Sequence, residues 1–158
     1  MNYKLSNHKY SGFTLVELLV TLVVAAILTM LAVTSFKPSI DSASQKSNLD
    51  NFIAQLKFAR TEAVKRGKTV SLYTSGTDTW HNQFYIYIDN DSSSIYNNGD
   101  DLIRKIPQDE FRDVTINSTT SNFSFNPNGT TTALTFTFTQ GGSSSTVTLN
   151  QYGKITIN

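Results

Sequence analysis

An apolar run from Gly12 to Phe36, GFTLVELLVTLVVAAILTMLAVTSF, stands ahead of an otherwise polar sequence. As a helix, about 20 such residues cover the ~30 Å of hydrocarbon in a bilayer. One charge interrupts it, Glu17. A carboxylate inside a spanning helix costs roughly 2.5–3.5 kcal/mol and needs a partner. Any reading of the chain has to account for that acid.

Three readings compete. As a secretory signal, Lys4, His8 and Lys9 would form the basic region. The apolar part of such signals is about 7–15 residues long and ends at a small-residue cleavage site. This run is longer, LAVTS at 31–35 matches such a site poorly, and Glu17 would sit inside it. A plain anchor fits the basic residues by the positive-inside rule but leaves Glu17 unexplained. In the third reading a peptidase cuts after Gly12, and Phe13 becomes a charged amino terminus. Glu17 then lies four residues on, within about one helical turn. Within a subunit, or between neighbours packed in a filament, amine and carboxylate neutralise each other and escape most of the cost of burial alone. Only this reading gives the acid a purpose.

The short basic leader, then Gly12-Phe13-Thr14-Leu15-Val16-Glu17 and a long apolar helix, resemble the class III signal of type IV pilins and pseudopilins. The resemblance implies that a prepilin peptidase cuts between Gly12 and Phe13 and that Phe13 is N-methylated. It also implies that Glu17 guides assembly. The expected organisation is a cleaved leader at 1–12, a transmembrane and assembly helix at 13–36, an amphipathic helix half at 37–67 and a periplasmic β-rich head at 68–158.

Without the leader, 11 basic and 12 acidic residues remain. That balance argues against non-specific binding of nucleic acid or anionic lipid as the main activity. The chain has no cysteine, which excludes disulfides and thiolate metal sites.

Pro38 is expected to interrupt or kink the helix, since it lacks an N–H and clashes with the preceding turn. Beyond the polar stretch 37–47, Leu49, Phe52, Ile53, Leu56, Ala59, Ala63 and Val64 recur at helical spacing. Lys57, Arg60, Glu62, Lys65 and Arg66 fall mostly between them, with Glu62 and Arg66 spaced as an i,i+4 pair. Gly67 is the expected C-cap.

After Gly67 the period changes to two. Short strands are expected over 69–75, 83–89, 102–106, 113–117, 122–126, 133–139, 145–150 and 153–158. Turns are signalled by Pro127-Asn128-Gly129 and by 141–145. No helical pattern intervenes, so the strands should be antiparallel. The fold class is α+β, a small antiparallel β-sheet domain packed on the amphipathic half of a long N-terminal helix. The pilin resemblance implies the same lollipop plan. The segments 58–72, 87–106 and 123–129, with the terminal GKITIN, resemble in order the GspH/FimT group of minor pilins and minor pseudopilins.

Asp89, Asp91, Asp100 and Asp101, with Asn90, Asn97 and Asn98, offer oxygen ligands of the kind Ca²⁺ takes. The spacing is not that of an EF-hand, and the same residues are what an exposed loop requires, so no metal site and no cofactor are expected. Relatives that take up DNA carry a basic Gly-Arg-x-Arg motif. Here the stretch is Gly153-Lys154-Ile155-Thr156, and one Lys is too few, which makes nucleic acid an unlikely partner. Lys65, Arg66 and Lys68 form a second small basic cluster, of a kind common at helix ends. His81, beside Trp80, has neither a Cys nor a second His near it for a zinc site or a triad, and no enzyme activity is expected.

The family resemblance implies a minor pilin. Its partners would be other minor and major pilins through the N-terminal helix, the prepilin peptidase and the inner-membrane assembly platform. It would be a single-pass inner-membrane protein with a periplasmic head before assembly, and then part of a pilus filament at the cell surface. A minor pseudopilin of a type II secretion system is the alternative, and a DNA-binding minor pilin for uptake the weaker one.

Overall fold

The computed structural model describes residues 12–76 and 79–158, with the side chains of 32–37 outside that description. The leader residues Lys4, His8 and Lys9 lie outside the described residues, whereas Gly12 lies within them. Two compact units emerge, one ending at Ile40 and one running from Asp41 to Asn158.

One helix, α1, runs Leu15–Arg66. Thr14 starts it: its Oγ1 accepts the Glu17 N–H at 3.2 Å, and its carbonyl accepts the Leu18 N–H at 3.2 Å. Thr-x-x-Glu at a helix start is the spacing of a capping box. At the other end Gly67 adopts φ 62°, and Lys68 N–H reaches back to the Ala63 carbonyl at 3.3 Å. That is the 6→1 bond of a Schellman cap, which glycine at this position permits.

Of the two outcomes expected at Pro38, an interruption is not seen: α1 continues through it. The cost of about 3 kcal/mol for an interior proline is tolerated in a helix of 52 residues whose later part is fixed by packing. A second correction concerns Val64, which is exposed and not part of the apolar stripe. The face that packs is set by Phe52, Leu56, Ala59 and Ala63, and Val64 lies a 100° step from Ala63, outside it.

Among the described residues eight strands follow: β1 Val70–Thr74, β2 Phe84–Ile88, β3 Asp101–Ile106, β4 Thr115–Asn117, β5 Asn122–Phe125, β6 Leu134–Gln140, β7 Ser143–Leu149 and β8 Ile155–Ile157. Each overlaps a strand read from the sequence. They form two antiparallel four-stranded sheets, ordered β3-β2-β1-β5 and β4-β6-β7-β8.

Both sheets and the latter part of α1 share one core. Its centre is Phe52, fully buried, whose ring meets Phe84 of the first sheet at 6.0 Å and Phe136 and Phe138 of the second at 5.0 and 5.2 Å. All are edge-on, a favoured aromatic geometry. Trp80, in the connection between β1 and β2, completes the join against Phe84, Phe123 and Phe136. Its Nε1–H donates to the Thr120 carbonyl at 2.9 Å, so the buried indole leaves no donor unpaired.

Phe52→Ala should lower the unfolding free energy by about 3–5 kcal/mol, read as a shift of the urea midpoint of the full chain in detergent. Phe58→Ala should cost less, because that ring is only partly buried, under the Arg104 guanidinium at 3.8 Å.

Candidate functional site: the processing and assembly segment

Three residues precede the first helical turn. Gly12, Phe13 and Thr14 are non-helical and exposed, so the Gly12–Phe13 bond lies in accessible, irregular chain, the conformation proteases cleave most readily. A Cβ added at Gly12 would meet nothing within 4 Å among the described residues, and the backbone is not in the left-handed region. Nothing within the described chain therefore demands glycine there. Glu17 sits in the first turn of α1, one turn beyond Phe13. No ion pair among the described residues includes it. Thr14 caps the backbone N–H of Glu17, and no hydrogen bond among the described residues involves the Glu17 carboxylate.

From Leu15 to Leu31 every described side chain is exposed, aliphatic ones included. Thr21 and Thr29 return their hydroxyls to the carbonyls of Leu18 and Ala25, at 2.8 and 2.7 Å, and so present no unpaired donor. Among the described residues no helix is long and apolar enough to cross a membrane. The run read from the sequence, 13–36, extends into the six positions whose side chains are not described. An apolar surface of this extent marks a contact with lipid or with other proteins.

In the second unit, Lys57, Arg60, Thr61, Tyr152, Gly153, Lys154 and Ile155 line a cleft of about 460 Å³. Sequence spacing had left Lys154 isolated; the fold sets it beside two cations of α1. Arg60 is largely committed, since its Nε donates to the Gly129 carbonyl and its Nη2 to the Tyr152 carbonyl, both at 3.0 Å. The cluster Lys65, Arg66 and Lys68 is likewise mostly engaged. Arg66 Nε lies 2.6 Å and Lys65 Nζ 3.7 Å from the Glu62 carboxylate. The Arg66 hydrogen bond is the main reason the Glu62 carboxyl is held below its usual range.

The loop between β2 and β3 brings Asp89, Asp91 and Asp100 together, with carboxylate oxygens within 4.8 Å of one another. Loop N–H groups meet them: Ser93 and Ser94 donate to Asp89, Ser93 to Asp91, and Asn90 and Asn97 to Asp100. The Ser93 side chain, and then Asn97, hold the Asp91 carboxyl down to about 2. His81 has a structural use, its Nδ1 accepting the Ile116 N–H at 3.1 Å.

The pattern of the type II transport protein GspH matches residues 48–153, and that of the prokaryotic N-terminal methylation motif matches residues 7–33. No curated protein matches the chain. Two crystal forms of the type IV minor pilin FimU from Pseudomonas aeruginosa strain PAO1 share the fold, each with a TM-score of 0.59. The P65 form is 24% identical over 72% of this chain and 91% of that one; the P21 form is 23% identical over 78% and 91%.

Gly153 has φ 72°, and a Cβ there would stand 2.5 Å from the Gly129 carbonyl oxygen and 2.6 Å from Arg60 Nε. Gly142 has φ 83° and open space around it. Gly142→Ala should therefore cost about 1–2 kcal/mol of backbone strain. Gly153→Ala should cost more, because it also displaces Arg60, and thermal unfolding of both variants would check the order.

Proposed function

Because this chain belongs to the GspH family and carries the N-terminal methylation motif ahead of that domain, we propose that it is a minor pilin of a type IV pilus. Cleavage between Gly12 and Phe13, methylation of Phe13 and incorporation through the apolar helix bring it into the filament or its tip complex. The observation that carries the reading is the start of α1. An exposed, irregular Gly12–Phe13 bond directly precedes a capped helix with Glu17 in its first turn and exposed aliphatic side chains beyond.

Cleavage there leaves Thr14 in place, so the cap survives and the new amine lies one residue before it. In a filament core, this amine and a Glu17 carboxylate neutralise each other, within one subunit or across two. Before assembly the run 13–36 serves as a single-pass inner-membrane anchor, with the head in the periplasm. The prepilin peptidase, the inner-membrane assembly platform, and other minor and major pilins are its partners. No catalytic role is assigned to the head.

The same anchor and charge pair would serve a pseudopilin of a type II secretion system, and the place of the processed chain separates the two. Intact-mass analysis of filaments sheared from the cell surface should find a species beginning at methylated Phe13. A processed chain confined to the inner membrane of normally piliated cells would favour the pseudopilin instead. Gly12→Val should leave the leader attached, visible as the added mass. Glu17→Leu should insert into the membrane yet be absent from sheared filaments; its normal incorporation would sink the charge-pair argument.

The cleft at Lys57, Arg60 and Lys154 gives DNA binding a specific footing. With Arg60 held by two carbonyls, Lys57 and Lys154 are the cations there whose side chains make no hydrogen bond among the described residues. Two phosphate contacts correspond to a slope of about −1.8 in the logarithm of duplex affinity against that of salt. A steeper slope, abolished by Lys154→Ala, would revive the DNA reading.

A further inference from the structure

The cleft between the outer side of α1 and the turn before β8 gathers three cations, Lys57, Arg60 and Lys154. Lys57 and Arg60 stand three residues apart on the helix, where like charges are neighbours and repel. No carboxylate lines the cleft, and no ion pair among the described residues includes any of the three. The other basic cluster is built differently, with the Glu62 carboxylate set against both Lys65 and Arg66. Cations brought together without a counter-charge work against stability and focus a positive field into the cleft, so their grouping calls for an anion from outside.

The fold also fixes Arg60 in place. Its Nε and Nη2 donate to the Gly129 and Tyr152 carbonyls, both at 3.0 Å. Two glycines make room for it: a Cβ at Gly129 would stand 3.0 Å from Nε, and one at Gly153 2.6 Å. Those bonds use one edge of the planar guanidinium. The end edge, Nη1 with the second N–H of Nη2, donates to nothing among the described residues. Two parallel N–H groups on a fixed plane form the fork that grips a carboxylate by two bonds. Tyr152 stands beside that fork, because its own carbonyl is one of the two anchors, and the residue is 66% exposed. Thr61 donates its hydroxyl to the Lys57 carbonyl at 2.8 Å, which leaves the hydroxyl oxygen free to accept.

We propose that this cleft binds an acidic sugar of the hexuronate class. The carboxylate takes the free edge of Arg60, with Lys57 and Lys154 as further donors. The sugar ring lies against Tyr152, and a ring hydroxyl donates to Thr61. The volume of about 460 Å³ falls within the ~300–1,000 Å³ of small-ligand sites and suits a few sugar units. Three cations in so short a cleft converge on one anionic group, whereas duplex binders spread ~6–10 contacts along a row of phosphates. An acidic peptide would need apolar anchors as well, and Ile155, half-buried, is the one aliphatic side chain in the lining. The site lies in the head and does not depend on where the processed chain resides.

The test uses the full chain in a neutral detergent with trigalacturonate as the probe, followed by calorimetry and by saturation transfer to the sugar protons. Trigalacturonate should bind. Its methyl ester, which keeps the rings and loses the charge, should bind at least about tenfold more weakly, as expected when charge-assisted bonds are lost. Lys57→Gln combined with Lys154→Gln should weaken trigalacturonate by a similar factor, whereas Lys68→Gln, outside the cleft, should leave it unchanged. Tyr152→Ala should weaken it several-fold and diminish saturation transfer to the ring protons. Far-UV circular dichroism would verify that each variant is folded. No binding of trigalacturonate, equal binding of its ester, or an unaltered double variant would overturn the site. A triglutamate peptide or a short DNA duplex bound as tightly as trigalacturonate, with the same dependence on the two lysines, would overturn the acidic-sugar assignment.

Discussion

The second unit depends on one wedge. Phe52 projects from α1 between the two sheets and touches rings from both. A sheet buries its apolar face against a second layer, and both sheets here share one core with α1. The helix supplies that layer to both at once. Trp80 then closes the seam, because its ring meets Phe84 on one side and Phe136 on the other. Edge-to-face contacts of this kind contribute about 0.5–1.5 kcal/mol each beyond the area they bury, and they also fix orientation.

Where Phe52 fixes the helix, the last two turns fix the surface. Ala63 and Gly67 end α1 in a Schellman cap and turn the chain into β1. Arg60, on the side not facing the core, clasps the turn before β8 and the turn after β5 through the Tyr152 and Gly129 carbonyls. The C-terminal strand is therefore tied to the helix by polar bonds as well as by packing. This clasp is also why the cleft is less basic than its residue list suggests, since a guanidinium bonded to two carbonyls has fewer donors left for a phosphate.

Most of this plan was legible from periodicity. The period-two pattern is clearest in β5, β6 and β7, where buried positions such as Phe136 and Phe138 alternate with less buried ones, whereas β1 and β2 are buried almost throughout. Gly67 was legible because a helix end needs a residue that tolerates positive φ. What escaped depends on relations between distant residues. The division into two sheets is set by which strands pair, and no local pattern encodes that. Val64 was misplaced because a stripe read from spacing alone has no sharp edge. The interruption considered at Pro38 does not occur; its local cost was weighed without the long helix around it. That Asp89, Asp91 and Asp100 share one loop was legible, but not that the loop folds to bring their carboxylates within 4.8 Å of one another.

Two glycines show how fold and function divide the sequence between them. Gly153 is required from inside: its backbone angle excludes most side chains, and a Cβ would strike the Gly129 carbonyl. Gly12 is required by nothing within the described chain, having ordinary backbone and open space. A glycine with no cause among the described residues, next to a bond left outside the helix, accords with the proposed recognition by a peptidase. Glu17 belongs with it. The cap at Thr14 engages only the Glu17 backbone N–H, so the described fold does not account for a charge on that side chain. No ion pair among the described residues includes that charge; under the proposed processing, the amine at Phe13 would be its nearest partner.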